Sequence, residues 1–294
     1  AILDIQIVAA SLPQIQAGVG ASADQVSWIQ TAYLIPEVVM IPLSGYLSRL
    51  WGTQRLYMAS CLGFIVMSVA TGLSSSIDMM ILFRAIQGFV GGAMIPTVFA
   101  VAFTAFPPDK RVTASVVMGL IVTLAPTVGP TLGGHLTEWL SWRWLFFINI
   151  VPGIVVCIAV AFIVDIDRPD FSVLRRFDIF GAVSLALFLG LLQYVLDEGP
   201  RRAWLEDGHL LSLLLVSLMA AVIFVWRSLS YSHPIVHLRA FSNLSFTLGC
   251  VLSFVVGIGL YGSIYMTPLF LGLIRHFSAL QIGATVFVTG LFQV

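Results

Sequence analysis

Residues 79–104 read MMILFRAIQGFVGGAMIPTVFAVAFT, 26 positions with a single ionisable side chain, Arg84. As a helix this run is about 39 Å long, more than the roughly 30 Å of a bilayer's hydrocarbon layer. Working outward, apolar runs of similar length occupy 26–48 and 56–74 before it, and 112–136, 143–164, 178–196, 209–229 and 243–271 after it. Residues 1–14 read as the outer half of a first helix, and a further run starts at 279. The whole chain agrees: 59% of its 294 residues are hydrophobic and 10% charged, and its mean hydropathy is +1.01. Soluble domains carry about 25% charged residues, so the solvent for most of these side chains is lipid or protein. The expected fold class is an all-α membrane protein.

The basic residues give the orientation. Arg49, Arg55, Lys110, Arg111, Arg168, Arg175, Arg176, Arg227 and Arg239 fall in one set of alternating loops; Arg143, Arg201, Arg202 and Arg275 fall in the other. The richer set marks the cytoplasmic side, so the first helix runs outward and residues 15–25 lie outside. With 14 basic residues against 14 acidic ones, nothing points to nucleic acid. Cys61, Cys157 and Cys250 are too scattered for a disulfide framework or a metal site. His233 and His237 are separated by Pro234 and lack a third ligand, so they read as a polar linker and no metal is expected. No secretory signal is visible. The chain opens on Ala-Ile-Leu-Asp and closes inside an apolar run, so we expect it to be a piece of a longer protein.

Asp4, Glu37 and Arg84 lie inside spans, where a charge costs about 2.5–3.5 kcal/mol at the bilayer centre and so faces a cavity or a partner. Asp4 is roughly 15 Å deep and Arg84 roughly 8–9 Å deep from the same side, a difference one arginine side chain can bridge. Burial favours the neutral acid and a neighbouring cation favours the carboxylate. Small changes in hydration therefore switch such a group, which suits proton coupling; the alternative is a static salt bridge. On the second helix Gln30, Tyr33, Glu37 and Ser44 share one face, and Pro36 and Pro42 bracket Glu37. That polar face suggests a water-accessible cavity in which Glu37 could bind a cationic substrate, carry a second proton or bond a neighbouring helix. Gln30, Tyr33 and Gln87 are candidate substrate contacts beside it. On the fourth helix Arg84, Gln87, Gly88, Gly91 and Gly92 share a face, with Gly88 and Gly92 spaced for close helix approach. On the fifth, Ala125, Gly129 and Gly133 form a small-residue stripe beside Pro126 and Pro130, which predicts a bent, tightly pressed helix.

Together these motifs resemble the major facilitator superfamily, specifically its 14-helix drug:proton antiporters of the EmrB/QacA type. Leu3-Asp4 through Pro13 resembles the first-helix pattern LDxTIVNVALP, whose acidic residue is implicated in proton coupling. Gly45 through Gly52, with Arg49 and the nearby Arg55, resembles the loop motif GxLaDrxG. Leu82 through Gly88 resembles the fourth-helix motif with its arginine. Ala125 to Gly134, including Gly129, Pro130, Gly133 and Gly134, resembles the antiporter motif GPxxGPxxGG. Trp142 to Asn149 with Pro152 is similar to the start of the family's sixth helix, and Leu192 to Gly199 with Trp204 is closer to EmrB than to QacA. Ser48, Ala125 and Ile5-Gln6-Ile7 depart from the pattern; Ser48 lacks the loop aspartate's charge.

The resemblance implies a major facilitator fold with an N-terminal six-helix bundle (1–164), a two-helix accessory insert with its linkers (165–242) and the start of a C-terminal bundle (243–294). It implies a proton-coupled exporter of drugs or other small amphipathic molecules in the bacterial inner membrane, with a periplasmic adaptor and an outer-membrane channel as partners. An exporter of one metabolite or siderophore is the alternative. No GxxxxGK[ST] run is present, so no nucleotide cofactor is expected and the proton gradient supplies the energy. A membrane enzyme would need a paired nucleophile and base within the spans, which the sequence does not offer.

Overall fold

The computed structural model describes residues 2–164 and 168–275, together with residue 285. Among these, every regular element is helical: α1 (Ile2–Ala10), α2 (Leu12–Val19), α3 (Ala23–Val26), α4 (Trp28–Trp51), α5 (Thr53–Gly72), α6 (Ile77–Gly91), α7 (Met94–Ala105), α8 (Pro108–Trp139), α9 (Trp144–Phe147), α10 (Ile150–Ile163), α11 (Ile179–Glu198), α12 (Gly208–Ser230) and α13 (Leu244–Leu273). Seven helices or helix pairs among the described residues are long and apolar enough to cross a membrane, or eight if α1 and α2 form one broken span. The run 112–136, expected as a span, lies inside the 32-residue α8, which is not among those seven. The span expected to start at 279 lies outside the described residues.

Burial follows the logic of a lipid-solvated chain. Phe162 is 87% exposed and Val222 69%, while Asp4 and Arg84 are both 0% exposed. Lipid accepts apolar surface without cost, but polar side chains must find partners inside the protein.

Three local features differ from the expected spans. The first helix does not stop at 14: α1 and α2 meet at Ser11 with a bend of 74°. Pro13, near the start of α2, has no backbone N–H to offer the preceding turn, which favours a break there. The 79–104 run divides into α6 and α7 at Gly91–Ala93. The motif 45–52 is mostly helix, not loop. It forms the last two turns of α4 and ends on Gly52, whose φ of +83° gives the turn into α5 a backbone that favours glycine.

Packing sets the neighbours. α4 lies against α6, α5 against α6 and α10, and α1 against α8. α11 packs on both α12 and α4. At the N-terminal end of α4, Thr31 donates to the Asp197 carboxylate, and Trp28 meets Tyr194 with ring centroids 5.6 Å apart. At the other end the Tyr46 hydroxyl donates to the Val173 carbonyl at 2.9 Å. In α13, none of the window Leu244–Ser263 is buried among the described residues.

Candidate functional site

Arg84 projects from α6 into the space between α1 and α4. Its Nη1 donates to Asp4 Oδ2 at 2.6 Å and to Gln87 Oε1 at 3.0 Å, and its Nε donates to the Ile29 carbonyl at 3.1 Å. The guanidinium carbon lies 4.2 Å from the centre of the Tyr33 ring, a cation–π contact sheltered from water. Among the described residues the remaining nitrogen, Nη2, has no hydrogen-bond partner.

Glycines make this approach possible. A Cβ at Gly88 would collide with the Tyr33 carbonyl oxygen, and one at Gly92 would sit 2.7 Å from the Glu37 carbonyl oxygen. Their absence lets the α4 backbone press on α6, so Ile29 and Tyr33 reach Arg84. The α8 stripe does the same for α1: a Cβ at Gly129 would lie 2.6 Å from Gln6 Cβ, and one at Gly133 would lie 2.8 Å from the Ile7 carbonyl oxygen. Those contacts fall on the turn that follows Asp4. Thr137 ties the same pair of helices, donating to Ser11 Oγ at 3.0 Å.

Two side chains that the sequence reading did not single out for the site complete it. Asn149, in the turn between α9 and α10, donates through Nδ2 to Asp4 Oδ1 at 2.7 Å and to Ser68 Oγ at 2.9 Å. Ser68 on α5 also accepts from Gln87 Nε2 at 3.2 Å and donates to the Phe146 carbonyl at 2.9 Å. Both Asp4 oxygens thus face donors. A buried ion pair held by additional hydrogen bonds escapes much of the desolvation penalty that makes bare buried pairs unfavourable.

The remaining candidates divide. The Tyr33 hydroxyl donates to Glu37 Oε1 at 3.3 Å, so one tyrosine touches both the Arg84 and the Glu37 groups. Glu37 is 7% exposed and Tyr33 is fully covered, so the water-accessible face expected on this helix is closed in this conformation. The tight α4–α6 contact is the reason. Gln30 Nε2 donates to the Ile5 carbonyl at 3.2 Å, tying α4 to α1. Gln87 is fully buried and bonded at both ends of its amide. Gly45 and Gly134 have open space where a Cβ would project, and Pro130 is half-buried. Arg49 and Arg55 are exposed, and the Arg49 carbonyl accepts from the Asp170 N–H at 3.2 Å.

The site is thus an arginine–carboxylate pair enclosed between apolar helices of membrane-crossing length. Comparison with known proteins places the chain in a family. The chain is 44% identical over 291 residues to the colistin resistance protein EmrB of Acinetobacter baumannii, covering 99% of this chain and 57% of that protein. It is 31% identical over 293 residues to the multidrug export protein EmrB of Escherichia coli, covering 100% of this chain and again 57% of the relative. The chain therefore spans little more than half the length of these relatives. Among solved structures, the human organic anion transporter MFSD10 superposes with a TM-score of 0.56 over 99% of this chain and 67% of its own; at 17% identity it speaks for the fold alone. The family model described as Major Facilitator Superfamily matches residues 1–294. A multi-pass helical chain, matched along its whole length by that model, belongs to the major facilitator superfamily.

Proposed function

We propose that the intact protein is a proton-coupled exporter of drugs or other small amphipathic molecules in the bacterial inner membrane, working by alternating access. The observation that carries this reading is the enclosed Asp4–Arg84 pair at 2.6 Å, between α1 and α6. The relatives named for multidrug export and colistin resistance support the substrate class. In this reading residues 1–164 form the N-terminal bundle, 165–242 the accessory insert and 243–294 the opening of the C-terminal bundle of a 14-helix protein. The bundles rock about a mid-membrane site.

The proposed cycle turns on charge. A proton arriving from outside neutralises Asp4, its attraction to Arg84 weakens, and bound substrate leaves outward. Loss of the proton toward the cytoplasm restores the pair. Proton exchange requires the side chains around Asp4 to part, because the pair is sealed in the conformation described here. Glu37, joined to the pair through Tyr33, selects cationic substrates, with Tyr33, Gln30 and Gln87 beside it. A periplasmic adaptor and an outer-membrane channel would carry the substrate onward.

Efflux of dyes from cells expressing the intact protein tests the reading. Export should stop when a protonophore collapses the gradient, and Glu37→Gln should reduce export of a cationic dye well below that of a neutral one. Export that persists without the gradient would contradict the proposal. Equal effects on both dyes would remove Glu37 from selectivity.

A further inference from the structure

Five side chains close a ring of hydrogen bonds at Asp4: Arg84 to Asp4 and to Gln87, Gln87 to Ser68, and Asn149 to both Ser68 and Asp4. The chemistry of the ring fixes the orientation of Asn149. The Ser68 hydroxyl proton is engaged with the Phe146 carbonyl, so the Ser68 oxygen can only accept from its other neighbours. An ionised carboxylate also only accepts. The group between these two oxygens must bring two hydrogens, and the NH2 end of the Asn149 amide does so. The ring is therefore matched to the ionised form of Asp4.

Protonation reverses the two bonds that Asn149 makes, to Asp4 and to Ser68. A proton delivered by hydronium, which is left as water, forms an O–H bond at Asp4 Oδ1 and makes that oxygen a donor aimed at the Asn149 donor. A half-turn of the amide resolves the conflict. The Asn149 carbonyl oxygen then accepts from Asp4, and the Ser68 hydroxyl rotates to donate to the same oxygen. The Phe146 carbonyl stays satisfied, because the Asn149 backbone N–H already donates to it at 3.2 Å. Arg84 keeps its bond to Oδ2. On release the proton returns to water and the amide turns back; no other bond forms or breaks.

We infer that Asn149 is a positioning residue for proton exchange at Asp4, holding the carboxylate through its amide nitrogen and the neutral acid through its amide oxygen. This rests on the proton-coupled reading above. Among the described residues the charged or titratable groups facing Asp4 are Arg84 on α6 and Tyr33 and Glu37 on α4. α5 and the α9–α10 turn contribute only the neutral Ser68 and Asn149, and α8 presents the small residues Gly129 and Gly133 to α1.

The test uses the full-length protein in proteoliposomes, reading substrate-driven proton movement against pH for the wild type, Asp4→Asn, Asn149→Ala and Asn149→Asp. Asn149→Ala removes a partner from both forms, but the bond to the ionised carboxylate is charge-assisted and about twice as strong as the neutral one. The pH of half-maximal coupling should therefore still move upward, by up to about one unit. Asn149→Asp sets a second carboxylate against Asp4 and should move it further. The KM for the transported dye should stay within twofold, whereas a merely structural role would lower the rate without moving the profile. If Asn149→Ala does not accumulate, the isosteric Asn149→Asp carries the test. If Asp4→Asn abolishes coupling while both Asn149 variants keep the wild-type profile, the inference fails alone. If Asp4→Asn couples normally, the proton-coupled reading fails and this inference falls with it.

Discussion

Arg84 shows why residue type matters at this site. Its planar fork reaches Asp4, Gln87 and the Ile29 carbonyl while its face lies on Tyr33, a set that a lysine's single ammonium could not reproduce. Replacing it with methionine strands a buried carboxylate, so Arg84→Met should destabilise the protein by about 3–5 kcal/mol in denaturant unfolding from detergent micelles. Adding Asp4→Asn should recover part of that loss, because the double variant no longer buries an uncompensated charge. An additive double variant would show that the two groups do not interact. This pair was legible in the sequence because a charge in an apolar run stands out and helix rise fixes its depth. Ser68 and Asn149 were not legible. A serine in a membrane helix usually bonds its own backbone, as Thr71 does with the Met67 carbonyl at 2.7 Å, and an asparagine in a turn is commonplace. Only the approach of α1, α5 and α6 to the α9–α10 turn gives those two side chains a shared partner.

At the scale of helices, glycine spacing was readable but its use was not. Gly88, Gly92, Gly129 and Gly133 each meet another backbone or side chain, whereas Gly45 and Gly134 meet nothing within 4 Å. Gly88→Leu should therefore push α4 from α6 and abolish accumulation of folded protein, while Gly45→Ala, inside α4 with room for its methyl, should stabilise by about 0.5–1 kcal/mol. Comparable yields of the two variants would contradict the close α4–α6 contact. The start of α12 gives a pH prediction. The backbone N–H groups of His209 and Leu210 donate to the Asp207 carboxylate at 2.8 and 3.3 Å and hold its carboxyl below the ordinary aspartate range. A lowered native value means that the cap contributes fully above about pH 4 and loses its effect as pH falls through that lowered value. Hydrogen exchange in the first turn of α12 should thus be faster in Asp207→Ala than in the wild type at neutral pH, and the two should converge in acid. The break at Ser11 shows what periodicity misses: apolar residues run through it, and the proline that favours the bend lies two residues on.

For the whole molecule, the placement of most long apolar helices was legible because lipid imposes length and apolarity on each span, although seven or eight of the described helices meet that standard where the sequence suggested nine and the start of a tenth. The docking of α11 along α4 was not legible. It rests on contacts such as Thr31 with Asp197 and, just before α11, the tilted ring contact of Tyr46 with Phe177 at 4.8 Å, which join residues more than 130 positions apart. The same helix α4 carries Glu37 and presses Tyr33 on Arg84, so the Asp4–Arg84 site and the α11–α12 hairpin share one wall. The central claim is that this site converts a proton into movement of substrate. Its most direct test is the full-length protein sealed into vesicles with an internal pH dye, comparing proton movement on adding substrate for the wild type and for Asp4→Asn. The wild type should exchange protons for substrate, and Asp4→Asn should still bind substrate but move none. Proton movement of wild-type size from Asp4→Asn would contradict the claim.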